Sequence, residues 1–332
     1  LRLTETTADD KATYLRAHLE ARYGGHVDDL TRLDRGVFSM TFADGRRWVA
    51  RVFLRRPVAQ VEGDAAVLRF LAAQGYPAER CADDEPVSVL AGRGVLVTEY
   101  IEGATISDGV TESTVQALGD LLGRLHALPS GQGAIARAAG ALHHYAPDGG
   151  GPEGDLRAAT SWLAAIADRV PRRSRAVYES LRERLASADT CHDLPDALIH
   201  PDPVVTNVLL DDQGAQVFID WTGAGRGPRL ASLAVLIWSC ALKSGGWLPQ
   251  RVDAVVNGYC AHVRLEDREL ARLADVLRIR PLVFACWRFR HAVMAGRAPN
   301  GSEWSHPDDD LPLAIAARVQ ARVQAVAPIV LP

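Results

Sequence analysis

Residues 198–221 read LIHPDPVVTNVLLDDQGAQVFIDW, and the rest of the chain is best read outward from them. Val208 to Leu210 and Val217 to Ile219 are short apolar runs on either side of a turn-forming DDQGA segment, the pattern of the two arms of a β-hairpin. If Leu210 faces Val217, continuing the ladder sets Asn207 opposite Asp220 at the open end of the hairpin. There the chain leaves the sheet, and oxygen ligands can converge on one hard cation. A carboxylate with an amide oxygen suits magnesium. Asp202 lies just upstream, on the loop that enters the hairpin, placed to accept a hydrogen bond from a substrate hydroxyl while the cation holds phosphates.

The bulk properties narrow the classes. With 332 residues, of which 48% are hydrophobic, the chain exceeds what one compact core usually holds, which predicts two lobes. A net charge of -4 without a basic stripe and interleaved aromatics gives no reason to expect a nucleic-acid partner. Cys81, Cys191, Cys240, Cys260 and Cys286 are odd in number, scattered and free of any CxxC pair, so reduced thiols are expected. The first residues, LRLTETTADDKATYL, are polar, and no later run reaches the length of a membrane span. A cytoplasmic protein, neither secreted nor inserted, is the expectation. No internal repeat is evident.

Toward the N-terminus, a helix is expected over residues 7–23, closed by Gly24 and Gly25. Strand, glycine-bearing loop, strand, turn and strand follow over 30–34, Gly36, 37–42, Asp44-Gly45 and 47–53. Alternation in the last strand puts Val49, Arg51 and Phe53 on one face and Trp48, Ala50 and Val52 on the other. Arg51 is the odd residue on its face: such a cation either needs an anion or reaches solvent from an edge strand. After Pro57, Val61, Asp64, Val67, Leu68 and Leu71 share a helical face until Gly75 and Pro77. Another strand is expected over 95–100, ended by Glu102-Gly103.

Beyond it, Val115, Leu118, Leu121, Leu122, Leu125 and Leu128 mark a helix over 113–128. His126, at its end beside core leucines, reads as structural rather than catalytic. Residues 130–154 are rich in Gly, Ala and Pro and read as an irregular insertion. Helices are expected at 156–167 and 174–186 and, after the hairpin, at 230–242, 250–263, 266–295 and 311–326, an all-helical end. The GAGRGPR run at 223–229 lacks GxGxxG and follows a hairpin, so it is not a dinucleotide loop.

The order His200, Asp202, Asn207 and Asp220, spaced His-x-Asp-x4-Asn with Ile-Asp-Trp after a hairpin, resembles the catalytic core of the aminoglycoside phosphotransferase and choline kinase group, relatives of the protein kinases. The text LGDLLGRLHALP resembles that group's long central helix, and the likeness spans about residues 28–245. It implies an α+β, two-lobed protein kinase-like fold. Residues 1–102 would form a small antiparallel-sheet lobe that binds nucleotide, and 103–332 a larger, mainly helical catalytic and substrate-binding lobe. Asp202 would orient the attacking hydroxyl and accept its proton, Asn207 and Asp220 would hold one or two magnesium ions, and His200 would fix the loop. Gly36 and Ser39 would lie over the phosphates. Arg51 stands where the group carries a lysine on the α and β phosphates, with Asp64, or else Glu62, as its acidic partner. The backbone of Thr98, Glu99, Tyr100 and Ile101 would meet the adenine edge. Pro201 for a common glycine, Val204 for a frequent histidine and Ser232 for an aspartate are departures.

The activity so implied is transfer of the γ-phosphate of ATP or GTP, with Mg2+, to a hydroxyl of an aminoglycoside-like antibiotic or another small metabolite, in resistance, self-protection or biosynthesis. The short path from Asp220 to Leu230 leaves no room for a long activation segment, which favours a small acceptor over a protein. Glu303, Asp308, Asp309 and Asp310 would attract a polycation, or simply meet the dipole of the following helix. Trp247, Trp287 and Trp304 would stack on an acceptor or fill the core. The rival readings are a kinase-like binding protein without turnover, and a metal-dependent hydrolase on His200, Asp202 and Asp220, which would normally gather more histidines.

Overall fold

The computed structural model describes residues 8–53, 56–106, 110–129, 137–140, 151–243, 246–299 and 310–325. In chain order they form α1 (Ala8–Tyr23), β1 (Val27–Asp34), β2 (Val37–Phe42), β3 (Arg47–Val52), α2 (Val58–Ala73), β4 (Val87–Leu90), β5 (Arg93–Glu99), β6 (Gly103–Thr105) and α3 (Glu112–His126). Then come α4 (Gly151–Ala164), α5 (Arg175–Ala186), β7 (Asp196–Ile199), β8 (Val208–Asp211), β9 (Gln216–Phe218), β10 (Gly225–Pro228) and α6 (Arg229–Ala241). The short β11 (Leu242–Lys243) and β12 (Gly246–Trp247) precede α7 (Pro249–Cys260), α8 (Asp267–Met294) and α9 (Asp310–Ala325). Among the described residues, no helix is long and apolar enough to cross a membrane. By internal contacts the chain divides into two units, one running to Thr105 and including Leu209–Thr222, the other comprising Ile106–Val208 and the chain from Gly223.

The first unit is built on an antiparallel sheet in the order β1-β2-β3-β5-β4. Alternation in β3 sends Trp48 and Ala50 into a core with Leu15 and Leu19 of α1, Met40, Phe42, Val95 and Val97, which leaves Arg51 on the opposite face. Edge-to-face rings seal this core, Trp48 lying 5.0 Å from Phe42 and 5.4 Å from Tyr23. The strand expected to open at residue 30 opens at Val27, because Val27 is itself buried in that core and gives its N–H to Glu20 Oε1 at 2.8 Å. A smaller sheet, β6-β8-β9, explains why the hairpin joins this unit: Gly103, Ala104 and Thr105 pair with Asp211, Leu210 and Leu209.

The second unit is mainly helical. Helices α3 and α7 touch backbone to backbone, and a Cβ on Gly119 would lie 2.2 Å from the carbonyl oxygen of Val255, one on Gly258 2.0 Å from that of Gln116. No side chain fits there, which accounts for the glycines of LGDLLGRLHALP. At the end of α3, His126 is buried with Nδ1 2.9 Å from the Tyr259 hydroxyl, the structural place read from sequence. Burial, with the Arg229 charge, pushes its pKa down to about 3, and its Nε2 is buried without a hydrogen-bond partner. The GAGRGPR run contributes β10, antiparallel to β7, so the chain after the hairpin is not wholly helical. Helix α4 starts at Gly151, five residues before the expected 156.

Helix α8 carries Pro281 in its interior. Proline has no N–H for the carbonyl four residues back. That carbonyl, of Leu277, is taken instead by the indole N–H of Trp238, buried on α6.

Two consequences can be measured. Trp238→Phe leaves the Leu277 carbonyl without a donor and should cost about 2 kcal/mol in urea unfolding; no loss would mean that another donor serves it. For His126, the unfolded ring gains a proton as pH falls through about 6.5, while the folded ring resists until about 3, so stability drops across that window. Thermal melts of His126→Gln should fall less than wild type over the same window, and parallel curves would exclude the ring as the cause.

Candidate active site

In the first unit, one guanidinium and two carboxyl groups meet. Arg51 on β3 donates from Nη1 to Asp220 Oδ1 at 2.8 Å, the two side chains being 21% and 24% exposed. Asp220 follows β9 with φ 64, the left-handed region that a non-glycine residue occupies only when held. The holder is Glu79, whose Oε1 accepts the Asp220 N–H and whose Oε2 accepts the Thr98 hydroxyl at 3.2 Å. Next door, the Trp221 indole donates to the Phe218 carbonyl at 2.9 Å and its ring meets Tyr76 edge-on at 5.8 Å. The apolar neighbours of the Ile-Asp-Trp motif thus clamp the turn on which Asp220 sits.

The electrostatics follow from burial. Desolvation pushes the Glu79 carboxyl up, against the pull of Arg51, and the nearby Asp220 charge adds to the rise. For Arg51, burial alone would lower the pKa, but Asp220 and then Glu79 outweigh it and keep the guanidinium charged.

Asp64, expected as the partner of Arg51, is 1% exposed on α2 but pairs with Arg56 at 2.8 Å. Arg56 lies just before α2 and reaches Asp64 directly, while Asp64 acts on Arg51 only through space, more weakly than Asp220 or Glu79. Glu62 is exposed. Gly36 has φ +79, and a Cβ there would lie 2.8 Å from the Val52 carbonyl oxygen, so the β1–β2 turn requires glycine for close approach to β3. Ser39 sits on β2 and donates to the Thr31 carbonyl at 3.4 Å. At the end of β5, the Glu99 N–H goes to the Arg80 carbonyl and the Tyr100 N–H to the Arg47 carbonyl, both at 2.9 Å. Ile101 N–H has no such partner among the described residues.

In the second unit, the loop entering β8 is fastened at each step. His200 is fully buried; its Nδ1 accepts the Asp202 N–H at 3.1 Å and its carbonyl accepts the Ser232 hydroxyl at 3.0 Å. Serine at 232, a departure from the family's aspartate, therefore holds the loop backbone. The Val205 N–H goes to Ser239 Oγ at 2.9 Å. Asn207 ends a single 3₁₀ turn and donates from Nδ2 to the Asp202 carbonyl at 3.0 Å and, more weakly, to Asp202 Oδ2 at 3.4 Å. This fixes which end of the amide is which: Oδ1 is left, accepting no hydrogen bond among the described residues. Asp202 Oδ1 accepts from Arg280 Nη1 at 2.6 Å.

Trp287 lies on α8, 37% exposed, its ring 4.4 Å from that of His291. Glu303, Asp308, Asp309 and Trp304 lie outside the described residues. Glu79 and Arg280 were not foreseen. Glu79 falls in an aperiodic stretch, PAER, with no pattern to single it out. Arg280 had a weak signal: it and Arg278 are the two cations in a run whose Val276, Leu277, Ile279, Leu282 and Val283 are all buried.

Fold and residue order define a protein kinase-like enzyme that transfers phosphoryl groups to hydroxyls of small molecules. The chain belongs to the phosphotransferase enzyme family, whose model matches residues 34–273. It is similar to homoserine kinase of Pseudomonas aeruginosa, 27% identical over 267 residues, which cover 77% of this chain and 73% of that protein. Among solved structures, it resembles amicoumacin kinase hAmiN in complex with AMP-PNP, Ca2+ and Ami, with a TM-score of 0.62, 17% identity and 97% of each chain covered. It also resembles choline kinase LicA from Streptococcus pneumoniae, with a TM-score of 0.57, 14% identity and coverage of 96% of this chain and 100% of that one. At these identities the two structures speak for the fold.

Glu79→Gln keeps the size and can still accept the Asp220 N–H through Oε1, with its NH2 turned to the Thr98 hydroxyl oxygen, but removes the carboxyl group. The divalent-cation concentration for half-maximal turnover should rise about tenfold or more. An unchanged divalent-cation dependence would reduce Glu79 to packing.

Proposed function

We propose that the protein moves the γ-phosphoryl group of ATP or GTP to a hydroxyl of an antibiotic or another small metabolite, with Asp202 as the base. The observation that carries this reading is the fastened loop, in which Asn207 spends its amide N–H on the Asp202 backbone and keeps Oδ1 as an oxygen ligand. An amide oxygen and a carboxylate form a hard donor set, and Asn207 and Asp220 would hold Mg2+. The ion, when bound, neutralises charge on the phosphates.

Asp202 accepts the hydroxyl proton as the hydroxyl oxygen bonds to the γ-phosphorus and the bond to the β–γ bridging oxygen breaks, releasing the nucleoside diphosphate. Arg51 steadies the non-transferred phosphates, a role its fixed charge and planar fork suit. Glu79 holds the Asp220 backbone. The Ile101 N–H is the donor that remains for the adenine edge, and Gly36 with Ser39 belongs to the loop over the phosphates. Residues 1–102 serve as the nucleotide-binding lobe and 103–332 as the catalytic and substrate-binding lobe of a cytoplasmic enzyme. An antibiotic acceptor would make the role resistance or self-protection; the likeness to a homoserine kinase adds hydroxy amino acids to the acceptors worth trying.

The test is magnesium-dependent ATP and GTP consumption against aminoglycosides, other hydroxylated antibiotics, amino alcohols and hydroxy amino acids, with one added phosphate read by mass. Asp202→Asn, which can still accept from Arg280, should lower turnover by a factor on the order of 1,000 while nucleotide binding persists. Turnover near the wild-type rate would remove Asp202 from the mechanism.

A further inference from the structure

We propose that Arg280 recognises the acceptor, and that the acceptor carries a carboxylate or similar anionic group close to the hydroxyl that is phosphorylated. This rests on the reading of Asp202 as the base. A guanidinium offers five N–H donors in a planar fork. Arg280 uses one of them, from Nη1 to Asp202 Oδ1 at 2.6 Å, and has no other hydrogen-bond partner among the described residues. Its side chain is only 18% exposed, so the unspent donors are largely withdrawn from bulk water. Unspent, half-desolvated donors on a fixed positive charge are an anion site in waiting.

The alternative is that Arg280 merely holds Asp202. A guanidinium with that task spends its fork on both carboxylate oxygens, the favoured bidentate geometry. Here Oδ1 alone is engaged, and the nearest donor to Oδ2 is Asn207 Nδ2 at 3.4 Å. Arg280 is also well placed to stay put. The guanidinium lies over the Phe284 ring at 5.1 Å, and the next residue is Pro281, at the turn anchored through Leu277 to Trp238. A cation fixed within hydrogen-bond reach of the base attracts an anionic acceptor and repels ammonium groups. Its fork can bind a carboxylate while Asp202 turns to the neighbouring hydroxyl. Polycationic aminoglycosides and quaternary amino alcohols are the acceptor classes this arrangement disfavours.

The experiment is ATP turnover by the full chain with magnesium on short hydroxy carboxylates and hydroxy amino acids, each beside its primary amide, with an amino alcohol and an aminoglycoside as cationic comparators. Carboxylates should be phosphorylated and their amides poorly or not at all. Arg280→Gln should raise KM for the carboxylate about tenfold or more, the loss expected of a charge-assisted hydrogen bond, and narrow the gap to the amide; Arg280→Lys should fall between. Thermal melts identify a variant that fails to fold, and the carboxylate-to-amide ratio of the wild type stands without any variant. Equal turnover of carboxylate and amide, turnover confined to neutral or cationic acceptors, or no turnover of any carboxylate would overturn the proposal. In those cases, retained nucleotide binding with phosphorylation of another acceptor leaves the phosphotransferase reading intact, whereas loss of both removes it as well.

Discussion

Two carboxyl groups share one guanidinium in the first unit, and holding the three together organises the elements around them. Arg51 pairs with Asp220, and the same residue's N–H is held by Glu79, whose own carboxyl pKa burial pushes up. A buried polar group without a partner is costly, so the cluster has to be held together by its ion pair and hydrogen bonds. Each neighbouring element has a part in keeping it so. Strand β3 delivers Arg51 on the face turned away from the core, β5 supplies the Thr98 hydroxyl, and the stretch after Pro77 brings Glu79 beneath Asp220. Asp64 on α2 pairs with Arg56 instead.

The second unit solves a different problem, that of keeping the loop that carries Asp202 still. His200 is buried and takes the Asp202 N–H, Ser232 takes the His200 carbonyl, and Ser239 receives the Val205 N–H. Both serines lie on α6, as does Trp238, which reaches α8 at the carbonyl freed by Pro281. One helix therefore fixes both the loop that carries Asp202 and the turn of α8 that carries Arg280. Misplacement of about 1 Å costs a reaction of this kind heavily, because its catalysis is mostly positioning.

How much of this could be read beforehand follows from the physics of each feature. The hairpin, the alternation in β3 and the central helix were legible because burial imposes a period on side chains. Trp48 and Ala50 facing the core predicted where Arg51 points. Its partner was not legible: Asp64 sits on the right helix face, yet which carboxylate a long arginine meets depends on tertiary distance. Glu79 lies in an aperiodic loop, and backbone hydrogen bonds such as Glu79 to Asp220 leave no trace in residue type. The glycines of α3 were visible as text, but their reason, contact of bare backbone with α7, required the partner helix. Strand β10 was hidden in a glycine-rich run because β-propensity reports side-chain packing and glycine has none to report.

Arginine at position 51, where the family has lysine, invites the view that phosphate binding has decayed. Composition argues otherwise. Of the 37 basic residues, 35 are arginine, Lys11 and Lys243 being the exceptions, so arginine at 51 follows the habit of the whole chain. The exchange still has a structural consequence. Lysine is a compact point charge, whereas arginine carries a longer planar fork that can serve several oxygens at once. Arg51 accordingly answers to Asp220 and Glu79 and leaves the α2 carboxylate to Arg56. Position 51 thus carries a cation on β3 whose acidic neighbours lie after the hairpin and in the loop after Pro77 rather than on α2.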